Sequence, residues 1–267
     1  MVVGKLLTLH PPTLSNSVER SSRSPVENLV PLWREALHRV VGERSRLSVL
    51  YSGGLDSSMV AWGVRDLAEV ELVTIGVPDS SDLVAAKEGA HALKLPWVHR
   101  AIDRHDVERI LLADRPVFVG RTRISRAVLV STALALETAT TDRVVCGQGA
   151  DELFLGYAHF EGLSSAQATK RREEDLGQLL AEDWPRSVLL AERHGKSLAS
   201  PFLDSAFREC VESLPVDDLR SGSERKPALR DLARRLGLPA GLAGRPKKAF
   251  QYGSGVDKLL RSMGPVA

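Results

Sequence analysis

The strongest constraint on the fold is a glycine-rich turn between an apolar stretch and a helix-like stretch. Residues 47–51 (LSVLY) are apolar and β-prone, and residues 58–67 have the apolar spacing of a helix that packs on one face. Between them lies the hexapeptide SGGLDS, residues 52–57. In such a unit the glycines let the backbone approach an anion, and the first N–H groups of the helix point at it. The sequence therefore predicts an anion-binding loop.

The side chains of this loop favour a phosphate group as the anion. Ser52, Ser57 and Ser58 add hydroxyl donors, and Asp56 could hold a Mg²⁺ ion that neutralises phosphate charge. The Gly-Lys-Ser/Thr of kinase-type loops does not follow. The hexapeptide instead resembles the pyrophosphatase loop, SGGxDS, of enzymes that cleave ATP between the α- and β-phosphates. A bare Gly-Gly pair would indicate only a turn, but the whole hexapeptide in this setting favours the phosphate site.

Strands and helices alternate in the first part of the chain. Further strands are predicted at residues 71–77, 97–102 and 143–147, separated by helices at 83–95, 106–112 and 125–137. This alternation predicts an α/β fold, with a parallel twisted sheet covered by helices on both faces. Ligands of such sheets bind beyond the carboxyl ends of the strands, where both glycine turns of this chain would lie.

The domain organisation follows from the same pattern. Residues 1–24 read as a weakly structured lead-in with a short strand at 5–9, and residues 25–267 as one domain. Its core sheet is expected to extend to about residue 158. The part from 159 to 267 is expected to be helical, with helices at 165–193, broken at Trp184-Pro185, and at 208–214 and 226–236.

Composition excludes several classes of protein. The net charge of +2 over 267 residues does not favour a nucleic-acid-binding face. We find no apolar run long enough to span a bilayer and no secretory leader, so a cytoplasmic protein is expected. Cys146 and Cys210 are interpreted as buried thiols rather than a disulfide, and the seven histidines lack the paired spacing of a zinc site.

A second glycine turn carries two adjacent carboxylates. The segment GQGADELFLGY, residues 147–157, follows a predicted buried strand. With residues 52–57 and the segments at 82–86, 194–195, 200–204, 226–230 and 245–251, it resembles the synthetase domain of asparagine synthetases and the related β-lactam synthetases. The resemblance extends from about residue 29 to 255 and implies a fold like that of the adenine nucleotide α-hydrolases.

The resemblance also implies a reaction and its cofactors, ATP and Mg²⁺. A carboxylate attacks the α-phosphate of ATP to give an acyl-adenylate and pyrophosphate, and ammonia or an amine then displaces AMP. Asp56 and Asp151 match the metal ligands, and Lys247 matches the lysine that contacts the phosphates. The residues expected to bind ATP and pyrophosphate are Leu50, Ser52, Gly53, Gly54, Asp56, Ser57, Ile75 and Gly147.

The chain departs from the family pattern at the amine step. Gln148 replaces a glutamate that is thought to act there, and a glutamine cannot accept a proton. Glu152 and Tyr157 are nearby candidates for that role. The lactam-forming relatives also differ at this position, so Gln148 marks either a different amine or an impaired enzyme.

A second departure precedes the helix at 125–137. The segment retains Arg123 and Ser125 but lacks the usual threonine pair, and Arg126 replaces a threonine. Arginine clamps carboxylates well, so Arg121, Arg123 and Arg126 favour an acidic substrate that need not be aspartate. Arginines on an exposed helix start are an equally good interpretation.

A third departure concerns the nitrogen source. Asparagine synthetases begin with a glutaminase domain that has an N-terminal cysteine nucleophile, whereas this sequence begins Met1-Val2. The expected partners are therefore a small carboxylate and free ammonia, another amine, or ammonia from a separate glutaminase subunit.

The simplest reaction is asparagine formation from aspartate. The alternatives are another acid, a ring closure, and a nucleotide-binding regulator that has lost turnover. A tRNA-modifying enzyme is disfavoured by the charge. The oligomeric state stays open.

Overall fold

Five strands form the central sheet of the computed structural model, which describes residues 26–220, 224–245 and 253–263. The strands are β1 (Arg46–Leu50), β2 (Glu69–Gly76), β3 (Trp97–Ala101), β4 (Arg143–Val145) and β5 (Ser197–Ala199). Their order across the sheet is β3-β2-β1-β4-β5, and all neighbours are parallel.

Helices connect the strands and form most of the second half of the chain. The helices before β4 are α1 (Leu29–Val41), α2 (Leu55–Val64), α3 (Ser81–Leu93), α4 (Arg104–Ala113), α5 (Arg115–Phe118) and α6 (Arg123–Thr138). Between β4 and β5 lie α7 (Ala150–Leu153), α8 (Ser165–Gln178) and α9 (Trp184–Arg193). After β5 come α10 (Ser205–Ser213), α11 (Val216–Leu219), α12 (Pro227–Arg235), α13 (Ala240–Ala243) and α14 (Val256–Ser262).

The two faces of the sheet carry separate apolar cores. Alternate residues of a strand point to opposite faces, so Val49 and Leu72 enter one core while Leu50 and Val73 enter the other. Helices α1, α2, α3, α10 and α12 contribute to the first core, and α4, α6, α9 and α14 to the second. The predicted parallel sheet with helices on both faces is therefore confirmed.

The chain reverses its direction of travel across the sheet between β1 and β4. It moves outward from β1 through β2 to β3, and then returns to place β4 on the other side of β1, with Val49 opposite Val145. Loops at such a switch point diverge and leave a crevice at the carboxyl end of the sheet. The two glycine turns predicted to carry chemistry follow β1 and β4, and they therefore flank this crevice.

Two predictions for the second half of the chain were wrong. Only helices were expected beyond Gly156, but β5 pairs with β4 as a three-residue edge strand that is too short for an alternation signal. The expected break at Trp184-Pro185 is instead a π-helical turn, Leu179–Asp183, that leads directly into α9. Pro185 has no N–H for the carbonyl four residues earlier, and the wider turn accommodates that loss.

The remaining predictions about the chain have mixed outcomes. Cys146 is buried, but Cys210 is only half-buried, contrary to the expectation for both thiols. The predicted lead-in and the strand at 5–9 lie outside the described residues. Over the described ranges, no helix combines the length and apolarity that a membrane crossing requires.

Candidate active site

The first glycine turn is held tightly against α3. Gly53 has φ +72°, and a Cβ atom there would lie 2.5 Å from the backbone carbon of Ala85. Only glycine combines that conformation with so close a backbone approach. Arg245 reinforces the contact, because its Nη1 donates to the carbonyls of Ala85 (2.8 Å) and Gly53 (3.3 Å). The loop is thereby fixed in front of the N-terminus of α2.

The serines of the turn hydrogen-bond to its own backbone and to each other. Ser57 Oγ donates to the carbonyl of Gly54 at 3.2 Å and accepts from the backbone N–H of Ser52 at 3.3 Å. Ser52 Oγ accepts from the N–H of Gly54 at 3.3 Å. These bonds order the hydroxyls along the mouth of the turn, and each hydroxyl would donate to an anion by rotating its single O–H away from its present acceptor.

The second glycine turn packs on the start of α2. A Cβ atom at Gly147 would lie 3.1 Å from Cβ of Asp56 and 3.2 Å from the backbone nitrogen of Ser57. Gly149, at φ +97°, then redirects the chain into α7, whose first turn carries Asp151 and Glu152. The two carboxylates predicted from separate motifs, at positions 56 and 151, are thus brought to one side of the crevice.

A buried lysine joins these two carboxylates. Lys226 Nζ lies 2.7 Å from both carboxylate oxygens of Asp56 and 2.6 Å from Oδ1 of Asp151. Burial lowers the pKa of Lys226, but the carboxylates of Asp151 and Asp56 outweigh that effect, so its pKa is raised and it remains an ammonium ion. The three side chains therefore form a compact charged centre at the switch point.

The backbone makes room for this centre at two places. A Cβ atom at Gly156 would lie 2.0 Å from Oδ1 of Asp151 and 2.1 Å from Cε of Lys226, so no larger residue fits. Lys226 itself has φ 54° and ψ 49°, a left-handed conformation that costs a non-glycine residue about 1 kcal/mol. Strain of this kind persists where the surroundings impose it, and it clusters at functional sites.

The donor set fits a magnesium ion bound together with phosphate. Mg²⁺ is commonly held by one or two carboxylates, with substrate phosphates and waters completing its octahedron. Asp56 and Asp151 supply two carboxylates that reach a common point, as their shared contact with Lys226 shows. Within the described ranges there is no cluster of three or more His, Cys, Asp or Glu side chains that would form an all-protein metal cage.

Glu152 and Tyr157 form a buried pair beside the charged centre. The Tyr157 hydroxyl donates to Oε1 of Glu152 at 2.6 Å. Burial, followed by repulsion from Asp151, raises the pKa of Glu152 to about 7, although the hydrogen bond from Tyr157 opposes that rise. Burial and the same carboxylates raise the pKa of Tyr157 well above its usual value. The phenol therefore stays protonated at neutral pH.

A single cavity of about 750 Å³ connects these groups, which is within the range of small-molecule sites. The sequence-predicted residues that line it are Leu50, Ser52, Gly54, Asp56, Ser57, Ser125, Gly147, Gln148, Asp151 and Glu152. Those that do not line it are Gly53, Ile75, Arg123 and Arg126. Lys247 lies outside the described residues.

The arginines of the predicted substrate segment are engaged with the protein itself. Arg123 forms an ion pair with the buried Asp257 of α14. Arg121 pairs with Glu182 and lies 3.6 Å from Asp183 in the π-helical turn. The cavity wall on α6 is built instead from hydroxyls and apolar side chains: Thr122, Ile124, Ser125, Val128, Leu129 and Thr132. Their role in substrate recognition stays a prediction.

Sequence reasoning assigned no role to several residues of the cavity. These are Lys226, His159, Arg171, Asp175, Asp183 and Arg225. Lys226 was visible only as part of a matching segment, because nothing local indicates that it reaches a carboxylate 170 positions away. Arg171 and Asp175 belong to the charged run 170–175, which the sequence pattern predicts to be a solvated helix face, and no sequence motif marks the other three.

Comparison with known proteins places this cavity in a family context. The model of the asparagine synthase family matches residues 29–199 and 164–265. A putative glutamine-hydrolyzing asparagine synthetase of Methanocaldococcus jannaschii is 28% identical, over 91% of this chain and 52% of its own. The glutamine-hydrolyzing asparagine synthetase of Mus musculus is 33% identical, over 85% of this chain and 43% of its own. The chain thus spans about half the length of these relatives.

Solved structures give a more distant likeness. An NMN synthetase from Francisella tularensis superposes with a TM-score of 0.44 and 12% identity, over 89% of this chain and 85% of its own. The sequence matches are far stronger, and the family model spans both glycine turns and Lys226. On that match the chain belongs to the asparagine synthase family.

Proposed function

We propose that the protein is an ATP-dependent ligase that adenylates a carboxylate and transfers the acyl group to ammonia or an amine. In the simplest version aspartate is converted to asparagine. The proposal rests above all on the meeting of Asp56, Asp151 and Lys226 at the switch point of the sheet. Two glycine turns and a distant helix start converge there, and the family relationship gives this convergence a chemical meaning.

The site is suited to a reaction in which pyrophosphate departs. Negative charge grows on the leaving phosphates, so donors fixed in advance lower the barrier most. The N–H groups at the start of α2 and the hydroxyls of Ser52 and Ser57 would supply such donors, and the Lys226 ammonium adds positive charge beside them. Mg²⁺ held by Asp56 and Asp151 would neutralise phosphate charge when bound. We assign Lys247 to phosphate contact on the resemblance of its segment.

The adenosine moiety is expected to lie at the carboxyl ends of β1 and β4. Leu50 and Gly147 line the cavity there, and Cys146 adds a buried thiol. Ile75 is fully buried within β2, in the same core as Leu50. It would therefore support the adenosine site through the core and would not touch the nucleotide. The acyl substrate would then occupy the part of the cavity toward Ser125 and the α6 wall.

Two observations favour a variant of the simplest reaction over asparagine formation itself. The engagement of Arg121 and Arg123 with protein carboxylates favours an acid other than aspartate, or an intramolecular ring closure. Gln148 favours an altered amine step or, in the extreme, a nucleotide-binding regulator without turnover. A separate glutaminase subunit and a cytoplasmic location belong to the same proposal.

Pyrophosphate–ATP exchange tests the proposal directly. Purified protein is incubated with Mg²⁺, ATP, labelled pyrophosphate and a panel of carboxylic acids that begins with aspartate. Aspartate-dependent exchange, with asparagine formed on addition of ammonium, supports the simplest version, and exchange with another acid only reassigns the substrate. ATP binding without exchange for any acid would overturn the ligase assignment in favour of the regulator.

A further inference from the structure

The amine half of the proposed reaction needs a proton acceptor that position 148 does not supply. As the new C–N bond forms, the attacking amine loses a proton. Gln148 lines the cavity but has no basic atom at neutral pH. Glu152 lines it too, with one carboxylate oxygen engaged by the Tyr157 hydroxyl. Another group on the cavity wall can therefore take the role of acceptor.

A histidine–aspartate pair lies on the same wall. His159 and Asp175 both line the cavity, and His159 Nε2 is 2.7 Å from Oδ2 of Asp175. His159 belongs to a short 3-10 turn, Ala158–Phe160, and Asp175 to α8. An imidazole that donates from Nε2 to a carboxylate presents its lone pair on Nδ1. A base held in one orientation by a third group is the arrangement that proton-transfer sites use.

Other contacts hold the pair in place. Asp175 is mostly buried, and its Oδ1 lies 2.9 Å from Nη2 of Arg171, one turn earlier on α8. The imidazole packs against the rings of Tyr157 (5.3 Å between centroids) and Phe160 (4.7 Å). The charged and titratable groups around the imidazole are thus Asp175 and Tyr157, which contact His159, and Arg171, which contacts Asp175. About 40% of its side chain remains exposed, which leaves a path for a proton to solvent.

We propose that His159 is the general base of amide formation and that Asp175 is the residue that positions it. The inference rests on the proposed ligase function. The amine nitrogen bonds to the acyl carbon of the adenylate, and its proton passes to His159 Nδ1. The C–O bond to AMP breaks, and its electron pair leaves on the AMP phosphate. The imidazolium then returns the proton to solvent.

The substitution His159→Gln separates the two half-reactions. Pyrophosphate–ATP exchange with the active acid should continue within about twofold of the unaltered protein. Amide formation from ammonium should fall about 10²- to 10⁴-fold, the usual contribution of a general base. Asp175→Asn should reduce amide formation less, by about tenfold, because the imidazole remains but loses its orientation. His105→Gln is the matched control, since His105 is exposed on α4 and does not line the cavity.

The size of the defect should depend on the amine if His159 acts as a base, and it should not if His159 has only a structural role. Hydroxylamine is largely unprotonated at neutral pH and needs less help from a base than ammonium does. The defect of His159→Gln should therefore be at least tenfold smaller with hydroxylamine, and it should also shrink as the pH is raised. Gln148→Glu, added to His159→Gln, should recover part of the ammonium reaction because it introduces a carboxylate into the same cavity.

Three outcomes would overturn the inference. The first is amide formation by His159→Gln at the rate and pH profile of the unaltered protein. The second is equal loss of exchange and amide formation, which would indicate a role in carboxylate activation or in folding. The third is a defect of the same size with ammonium and hydroxylamine. Absence of pyrophosphate–ATP exchange in the unaltered protein is distinguishable from all three outcomes. It would overturn the proposed ligase function and, with it, the role of His159 as its base.

Discussion

Lys226 shows how one residue combines structural and chemical roles. Its ammonium is buried between Asp56 and Asp151, whose carboxylates would otherwise face each other across a narrow gap. Removing one partner of a buried charge pair leaves the other charges uncompensated, which is usually more costly than losing a surface pair. Magnesium at the same two carboxylates would supply replacement charge.

This arrangement predicts a conditional effect of Lys226→Met. Without divalent metal, the free energy of unfolding should fall by about 2–4 kcal/mol, because two partly buried carboxylates lose their counter-charge. Millimolar Mg²⁺ should restore part of that loss in the variant and change the unaltered protein less. Urea titrations with and without MgCl₂ measure both values. Lys87→Met, at an exposed site on α3, is the control and should be insensitive to the metal. A magnesium response no larger in Lys226→Met than in the control would contradict the shared site.

Glu152 gives a prediction with a defined pH window. Its pKa is about 7 in the folded protein, because of burial and the neighbouring Asp151, against 4.5 for an ordinary glutamate. The folded state thus holds the proton more tightly, so this group's contribution is complete below pH 4.5 and is lost as the pH rises to 7. A difference of this size corresponds to about 3 kcal/mol.

Glu152→Gln should remove that pH dependence. The amide is neutral at every pH, and its oxygen can still accept the Tyr157 hydrogen bond. In the absence of metal, the variant should be more stable than the unaltered protein by up to about 3 kcal/mol at pH 8, and nearly equal at pH 4.5. Denaturant titrations at the two pH values measure the difference. Glu192→Gln, exposed on α9, serves as control. Equal stability of the two proteins at pH 8 would show that the fold does not raise the pKa of Glu152.

At the level of elements, the first turn and α3 act as one unit. The turn could be predicted from sequence because a glycine pair between an apolar strand and a helix allows the positive-φ conformations that a tight turn needs and that other residues disfavour. Its partner could not, since nothing in residues 52–57 indicates that Gly53 touches Ala85 or that Arg245 bridges both. Contacts of this kind depend on how the helices pack and not on local pattern.

The two adjacent glycines provide a matched test of this packing. Gly53→Ala should destabilise the protein by about 2–4 kcal/mol, because it adds a Cβ at positive φ and against the backbone of α3. It should also weaken ATP binding by displacing the turn. Gly54 has φ −80°, and an added Cβ would meet only Ser52 Oγ at 3.3 Å, so Gly54→Ala should cost less than 1 kcal/mol. Thermal unfolding with and without ATP and Mg²⁺ compares the variants. A Gly54→Ala defect as large as that of Gly53→Ala would contradict this account.

At the scale of the whole molecule, the parallel sheet could be predicted from sequence, but its fifth strand could not. Alternating apolar strands and helices predict a parallel sheet in the first part of the chain, and that part of the prediction is confirmed. Strand β5 was not predicted, because three residues carry no periodicity and form a strand only by pairing with β4. The role of Lys226 was not predicted for a similar reason, since its partners lie far away in sequence. Both come from the second half of the chain and complete structures that begin in the first.

The same interdependence predicts that the two halves unfold together. Trp33 of α1 is fully buried against Phe202 and Phe207, with ring centroids 4.7 and 5.1 Å apart, so the first core needs the second half of the chain. The full chain should therefore show one cooperative transition by circular dichroism and by tryptophan fluorescence. A chain that ends at residue 163 lacks β5 and these rings, and it should show no cooperative transition. Phe202→Ala is the control: it should lower the stability by about 3–5 kcal/mol and retain a single transition. A cooperative transition in the shortened chain would show that the sheet up to β4 forms a domain of its own.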